Sequence, residues 1–321
     1  MPDSEVVAAR QSSAASDGAL DVAIAPQTPG LADPMREAVE SAGGRVVEPH
    51  AARALLWNFD SADRLAATLA GAPAITWVQL PAAGVENYRS LFGDGRLWTS
   101  AKGAYAEPVA EHALALMLAG LRELPRRARA HAWEAKGGRT LFDSRVTLIG
   151  AGGIGRALVD LLRPFRVHVT VVRKHPEPVP GATTVLPVDR LREGVRGAGV
   201  VVLAAALTDD SEAMIGEAEL AAMGSDCWLV NVARGRLVDT QALVTALGAG
   251  TIAGAALDVT DPEPLPEGHP LWHFENCLIT PHTANPAETE RDHLVRHIAG
   301  NVRARIAGTQ LAGIVDPTLG Y

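Results

Sequence analysis

From Asp21 onward, short apolar runs alternate with stretches in which apolar positions recur every three or four residues. DVAIA (21–25), RVVEP (45–49), ALLWNF (54–59) and ITWVQL (75–80) read as strands, and helices are expected near 33–42 and 62–69. This is the βαβ rhythm of an α/β fold. Glu107–Leu121 is apolar almost all round, with Pro108 suited to a first helical turn, so a buried helix is expected there. After Arg145 the rhythm restarts with VTLIG, VHVTVV, GVVVLAA, CWLVNV, TIAGAALDV and CLITPH, separated by helical segments. Strands that are apolar on both faces belong in a parallel sheet covered by helices on both sides. A closing amphipathic helix is expected near 288–306.

Composition narrows the reading. A chain of 321 residues exceeds what one core usually organises, so two domains are expected. Residues 1–18 are rich in Ala, Ser and Asp without periodicity and read as a solvated tail. A net charge of −8 argues against nucleic acid as a partner. No apolar stretch approaches the length of a bilayer span, so no membrane partner is expected and the location is read as cytoplasmic. Cys227 and Cys277, each flanked by apolar residues, read as core thiols. His293 and His297 share an i,i+4 spacing that can hold zinc. No third ligand suggests itself, so they read as a surface pair and no metal is expected. The basic stretch Glu123–Arg139 could grip phosphate, but reads first as a solvated or subunit-contacting face.

The most specific signal is GAGGIG, Gly150–Gly155, set between a strand and a helix whose apolar positions Ile154, Leu158, Leu161 and Leu162 share a face. Gly150 permits a tight turn, Gly152 lets backbone amides approach a pyrophosphate, and Gly155 allows close helix packing. Gly153 and Ile154 open the helix, whose N-terminus supplies partial positive charge. In this motif the second strand usually ends in an acid that binds the adenosine ribose 2′-hydroxyl. Here VTVVRKH puts Arg173 and Lys174 at that tip. A 2′-phosphate would be repelled by an acid and neutralised by these cations, so NADP is the preferred cofactor, with NAD possible.

Three later motifs each place a polar residue just beyond an apolar strand: LVNVARG with Arg234, ALDVTDPEP with Asp258 and Glu263, and LITPH with His282. With GAGGIG before them, in this order and spacing, the chain from about Asp21 resembles the D-isomer-specific 2-hydroxyacid dehydrogenase family. RELP, Arg122–Pro125, also fits. The resemblance implies that Arg234 binds the substrate carboxylate and polarises its 2-oxo group. It also implies that His282 exchanges the proton at the carbonyl oxygen, while Glu263 orients the imidazole and balances its charge. Asp258 matches a residue contacting the nicotinamide carboxamide, and Ala233 falls in the cofactor set. Ala83 and Gly84, in QLPAAGVENY, match a loop whose backbone amides hold the substrate carboxylate. Trp133 lies where some relatives lend an aromatic residue to a neighbouring subunit, although a core or interface Trp is the plainer reading. Trp57 and Tyr105 are pocket candidates only.

The architecture the resemblance implies is α/β, with two Rossmann-like domains, doubly wound parallel sheets and a cleft between them. Residues 1–100 would form a flavodoxin-like substrate-binding domain and 101–287 the dinucleotide-binding domain, with 288–321 returning to the first. The expected activity is hydride transfer between NADPH and a small 2-oxo acid, such as glyoxylate or hydroxypyruvate, to give a D-2-hydroxy acid, in a homodimer. Two alternatives stay open: an NAD enzyme of the phosphoglycerate dehydrogenase kind, and a non-catalytic dinucleotide-sensing corepressor-like binding protein. Glu263 disfavours formate dehydrogenase, whose members carry an amide there.

Overall fold

The computed structural model describes residues 19–133 and 135–320. The tail expected over 1–18 lies outside them. In chain order come β1 (Asp21–Ala25), α1 (Ala32–Ser41), β2 (Arg45–Val46), β3 (Ala54–Trp57), α2 (Ala62–Ala70), β4 (Trp77–Gln79) and β5 (Leu97–Thr99). Next follow α3 (Ala106–Leu121), α4 (Leu124–Ala128), β6 (Arg145–Ile149), α5 (Gly153–Leu162), β7 (His168–Val172), β8 (Thr184–Leu186) and α6 (Leu191–Val195). The chain continues with β9 (Val200–Leu203), α7 (Glu217–Met223), β10 (Trp228–Asn231), α8 (Thr240–Ala249), β11 (Gly254–Leu257), β12 (Cys277–Ile279) and α9 (Ala287–Ala307).

The chain divides into two compact units. One takes in the described residues of Met1–Tyr105 and Ala287–Tyr321, the other Ala106–Pro286. Within the first, a five-stranded parallel sheet runs β2-β1-β3-β4-β5, the doubly wound order of flavodoxin-like folds. Its core gathers Leu55, Trp57, Leu65, Leu69, Ile75, Val78 and Trp98, and α9 packs beside α1. Asn301 on α9 is buried and donates to Gln79 Oε1 at 2.8 Å, while Thr99 Oγ1 donates to the same oxygen at 2.8 Å. Closing helix and sheet are thus joined by satisfied buried amides.

The second unit carries a seven-stranded parallel sheet in the order β8-β7-β6-β9-β10-β11-β12. The pairings place Ile149 opposite both Val172 and Leu203, Leu203 opposite Asn231, Asn231 opposite Leu257, and Leu257 opposite Ile279. Val172 also stands opposite Leu186, so the carboxyl ends of all seven strands form one level row. The order in which strands are added reverses between β6 and β9, the switch point above which open α/β sheets bind ligands.

Some expectations need correction. Leu161 is 39% exposed; the buried stripe of α5 is Gly155, Leu158, Val159 and Leu162, because the helix rotates about 100° per residue and 161 falls outside the arc. His297 is not a surface residue: it is half-buried, with Nε2 3.0 Å from the Ser100 carbonyl. Trp133 is fully exposed, which rules out a core role within the chain. RVVEP contributes a strand of only two residues, and the three-residue strands β5 and β8 were not anticipated. Among the described residues no cluster of acids, His or Cys could hold a metal, and no helix is long and apolar enough to cross a membrane. Cys227 and Cys277 are buried and free, and burial pushes both thiols up to about 12.

Candidate active site

The dinucleotide loop begins one residue beyond β6. Gly150 has φ +92°, and a Cβ there would come within 2.6 Å of the Ala204 carbonyl oxygen, beyond the neighbouring strand β9. A Cβ on Gly155 would lie 2.5 Å from the Gly150 carbonyl oxygen, so α5 can start this close to the sheet only with glycine. Gly152 caps α5 and is exposed, and a Cβ on it would meet nothing within 4 Å. Gly153 and Ile154 form the first turn. Two glycines are thus needed by the fold itself, whereas Gly152 faces open space, as a loop that lets a pyrophosphate approach its amides requires.

At the tip of β7, Arg173 is largely covered. Its Nη1 is buried without a hydrogen-bond acceptor, and its Nη2 lies 3.9 Å from Glu177 Oε2. A buried guanidinium N–H left unmatched is costly, and an anion delivered to the strand tip would relieve it. Lys174 is exposed and reaches Asp210 Oδ2 at 3.1 Å. The residues present therefore fit a dinucleotide: an open glycine at a helix N-terminus, and at the next strand tip a covered cation with donor capacity to spare.

The catalytic candidates sit on the same level edge. Beyond β10, Asn231 Oδ1 accepts from Ala233 N at 3.0 Å and Asn231 Nδ2 donates to the Arg234 carbonyl at 2.9 Å, which folds the VARG turn back on its strand. Ala233 is buried and Arg234 is half-buried, with Nη1 donating to the Ala233 carbonyl at 2.7 Å. A Cβ on the next residue, Gly235, would lie 1.9 Å from the Thr260 carbonyl oxygen. The Arg234 turn therefore packs directly on the loop leaving β11, which carries Glu263.

His282 lies three residues beyond β12. Its Nδ1 stands 2.6 Å from Glu263 Oε1, and the two side chains are 51% and 41% exposed, leaving the far edge of the ring open. The pairing fixes the tautomer: Nδ1 carries a hydrogen toward the carboxylate, so Nε2 faces outward to exchange a proton. His282 has φ +52°, a left-handed conformation that costs a non-glycine residue about 1–2 kcal/mol.

Asp258, one residue beyond β11, supplies the compensation. Its main-chain oxygen accepts from His282 N at 2.8 Å. Its Oδ1 accepts from Thr280 Oγ1 at 2.6 Å and Thr283 N at 2.9 Å, and its Oδ2 from Ala284 N at 3.0 Å. His112 Nε2, on α3, is 3.3 Å from Asp258 Oδ1 and 3.0 Å from Thr280 Oγ1. Burial works to raise the Asp258 pKa, but donation from His112, Thr280 and the two backbone amides outweighs it, and the net direction is downward. The carboxylate expected to face the cofactor is thus visibly occupied in holding the turn that bears His282. His112 and Thr280 were not anticipated. The legible signal was a histidine inside an otherwise apolar helix face.

Arg234, Asp258, Glu263 and His282 therefore share one edge of one sheet with the glycine loop and Arg173. Ala83 and Gly84 belong to the other unit. They follow β4 in a loop anchored by a hydrogen bond from Tyr105 Oη to the Pro81 carbonyl (3.0 Å) and from Ala101 N to the Ala82 carbonyl (2.9 Å). Ala83 is exposed. Trp57 and Tyr105 are both buried, and burial raises the Tyr105 phenol far above its usual range.

A dinucleotide-type glycine loop shares the carboxyl edge of one sheet with an arginine turn and a paired histidine and glutamate. Residues 113–284 match the family model for the D-isomer specific 2-hydroxyacid dehydrogenase, NAD binding domain. The chain belongs to that family and is an NAD(P)-dependent 2-hydroxyacid dehydrogenase. A Corynebacterium melassecola protein known by its gene's position 3′ of proB is 40% identical over 255 residues, 77% of this chain and 84% of that one. A glyoxylate reductase from Thermofilum pendens is 33% identical over 236 residues, covering 68% and 67%. A D-isomer specific 2-hydroxyacid dehydrogenase from Xanthobacter autotrophicus Py2, solved with NADPH and MES, superposes with a TM-score of 0.83. It is 27% identical, over 95% of this chain and 100% of that one.

Proposed function

We propose that the protein reduces a small 2-oxo acid of the glyoxylate or hydroxypyruvate kind to the D-2-hydroxy acid, with NADPH as the preferred donor. The observation that carries this reading is the His282–Glu263 pair, 2.6 Å apart on the strand edge that also bears the Arg234 turn. The bound nicotinamide would supply the hydride. Arg234 would hold the substrate carboxylate and draw charge onto the 2-oxo group. The charged His282 would donate its Nε2 proton to the carbonyl oxygen as the carbon is reduced, keeping its Nδ1 hydrogen on Glu263. In the reverse direction the neutral ring would take the hydroxyl proton. Asp258 would keep the turn rigid and contact the carboxamide.

The Arg173 Nη1 that lacks an acceptor supports the NADP preference, as does the NADPH bound by the Xanthobacter neighbour. The glyoxylate reductase among the relatives supports the substrate class. A homodimer is the proposed assembly, since exposed apolar side chains such as Trp133 and Leu124 would be covered by a second copy. The deciding experiment is a panel of 2-oxo acids assayed by loss of nicotinamide absorbance with NADPH and with NADH. Turnover of glyoxylate or hydroxypyruvate, faster with NADPH, is the expected result. Tight NADPH binding with no turnover of any acid would instead make the protein a sensor.

A further inference from the structure

Residues 280–284 are tied at nearly every position to Asp258: the side chain of 280, and the backbone amides of 282, 283 and 284. His282 rides in the middle of that tie, and His112 meets it from α3 with a side chain only 22% exposed. Proton counting orders the contacts. Thr280 has one hydroxyl hydrogen, and the carboxylate 2.6 Å away can only accept, so the hydrogen goes to Asp258. Toward His112, 3.0 Å away, Thr280 Oγ1 can then only accept. His112 must therefore carry its hydrogen on Nε2, shared between Thr280 Oγ1 and Asp258 Oδ1. The three side chains close a triangle in which the Thr280 hydroxyl and the His112 Nε2–H each meet an acceptor.

We propose that His112 is a positioning residue for His282: its Nε2–H completes the Thr280–Asp258 anchor and so keeps the His282 ring aligned on Glu263. The inference rests on reading His282 as the proton-exchanging group. Without the imidazole, Thr280 Oγ1 loses its donor, the hydroxyl can rotate away from Asp258, and the left-handed turn gains freedom. A ring displaced by a fraction of an ångström transfers its proton poorly, although the substrate and cofactor contacts remain.

The test uses the full chain with glyoxylate and NADPH as probes, and compares His112→Ala, His112→Gln, Thr280→Val and His282→Ala. His112→Ala is expected to lower kcat about 10-fold, to move the pH limb of kcat that reports His282, and to leave the Kd for NADPH within about twofold. His112→Gln keeps an N–H at similar reach and is expected to restore most of the rate. A contribution to stability alone would lower the unfolding midpoint and leave kcat and the limb untouched. Unchanged kcat and limb in His112→Ala overturn the proposal, as does an equal loss in His112→Gln. Should His112→Ala fail to fold, Thr280→Val is judged by the same two readouts. His282→Ala separates the failures: if it is inactive while His112→Ala is normal, only the positioning role falls, and if it turns over normally, the reading of His282 falls as well.

Discussion

The proposed preference for NADPH rests on a single side chain, Arg173. A 2′-phosphate would give its buried Nη1 an anionic acceptor, a charge-assisted bond of about 1.5–3 kcal/mol, and an aspartate in its place would repel the same group. Arg173→Asp is therefore expected to weaken NADPH by at least about 10-fold while changing NADH little, as measured by nicotinamide fluorescence titration. Equal losses for both would remove the strand-tip argument. At this scale the sequence was legible for side chains with one chemistry to offer, and Arg173, Glu263 and His282 announce themselves through type and motif. It was not legible for Asp258. Its identity says carboxylate, but only the fold shows that four donors converge on it and lower its pKa.

The elements that matter are turns just past strand ends, and their glycines divide by what a methyl group would meet. Gly150→Ala would force an alanine to φ +92° with its Cβ 2.6 Å from a backbone oxygen. The expected cost is at least about 1–2 kcal/mol of stability, seen as a lower unfolding midpoint. Gly152→Ala faces open space within the chain, so the midpoint should hold while NADPH affinity falls, because the methyl group stands where backbone approach to a pyrophosphate is needed. Normal NADPH affinity in Gly152→Ala would show that the loop meets its ligand elsewhere. Long elements, such as α3 and α9, could be read from the chain to within a residue or two. The short strands β5 and β8 could not, since three residues carry too little pattern and their partners are distant in sequence.

At the scale of the molecule, one half-buried and one buried titratable group give the pH dependence a direction. Burial, partly offset by donation to the Ser100 carbonyl, lowers the His297 pKa from its ordinary 6.5. Above that value the ring is neutral in both folded and unfolded chains. Below it the unfolded chain takes up the proton first, so stability falls until the folded value is passed. Asp258, lowered from 3.8, stabilises the fold fully above that value and loses its contribution as pH falls through the depressed one. The unfolding midpoint should therefore decline as pH drops from 7 to about 5, and His297→Gln, which can still donate to Ser100, should flatten that decline. Calorimetry across this range checks it, and an unchanged slope in His297→Gln would assign the decline to other groups.

The chain by itself determined the α/β class, the dinucleotide loop, the cations after β7 and the identity of the arginine, glutamate and histidine. These depend on local period and on chemistry that a side chain carries wherever it sits. Tertiary structure alone decided that seven strands end on one level row, that the Arg234 turn is seated on the loop leading to Glu263, and that His112 and Thr280 close on Asp258. Register and convergence are relations between segments up to 168 residues apart, and they are set by how strands pair and pack, which no local stretch encodes.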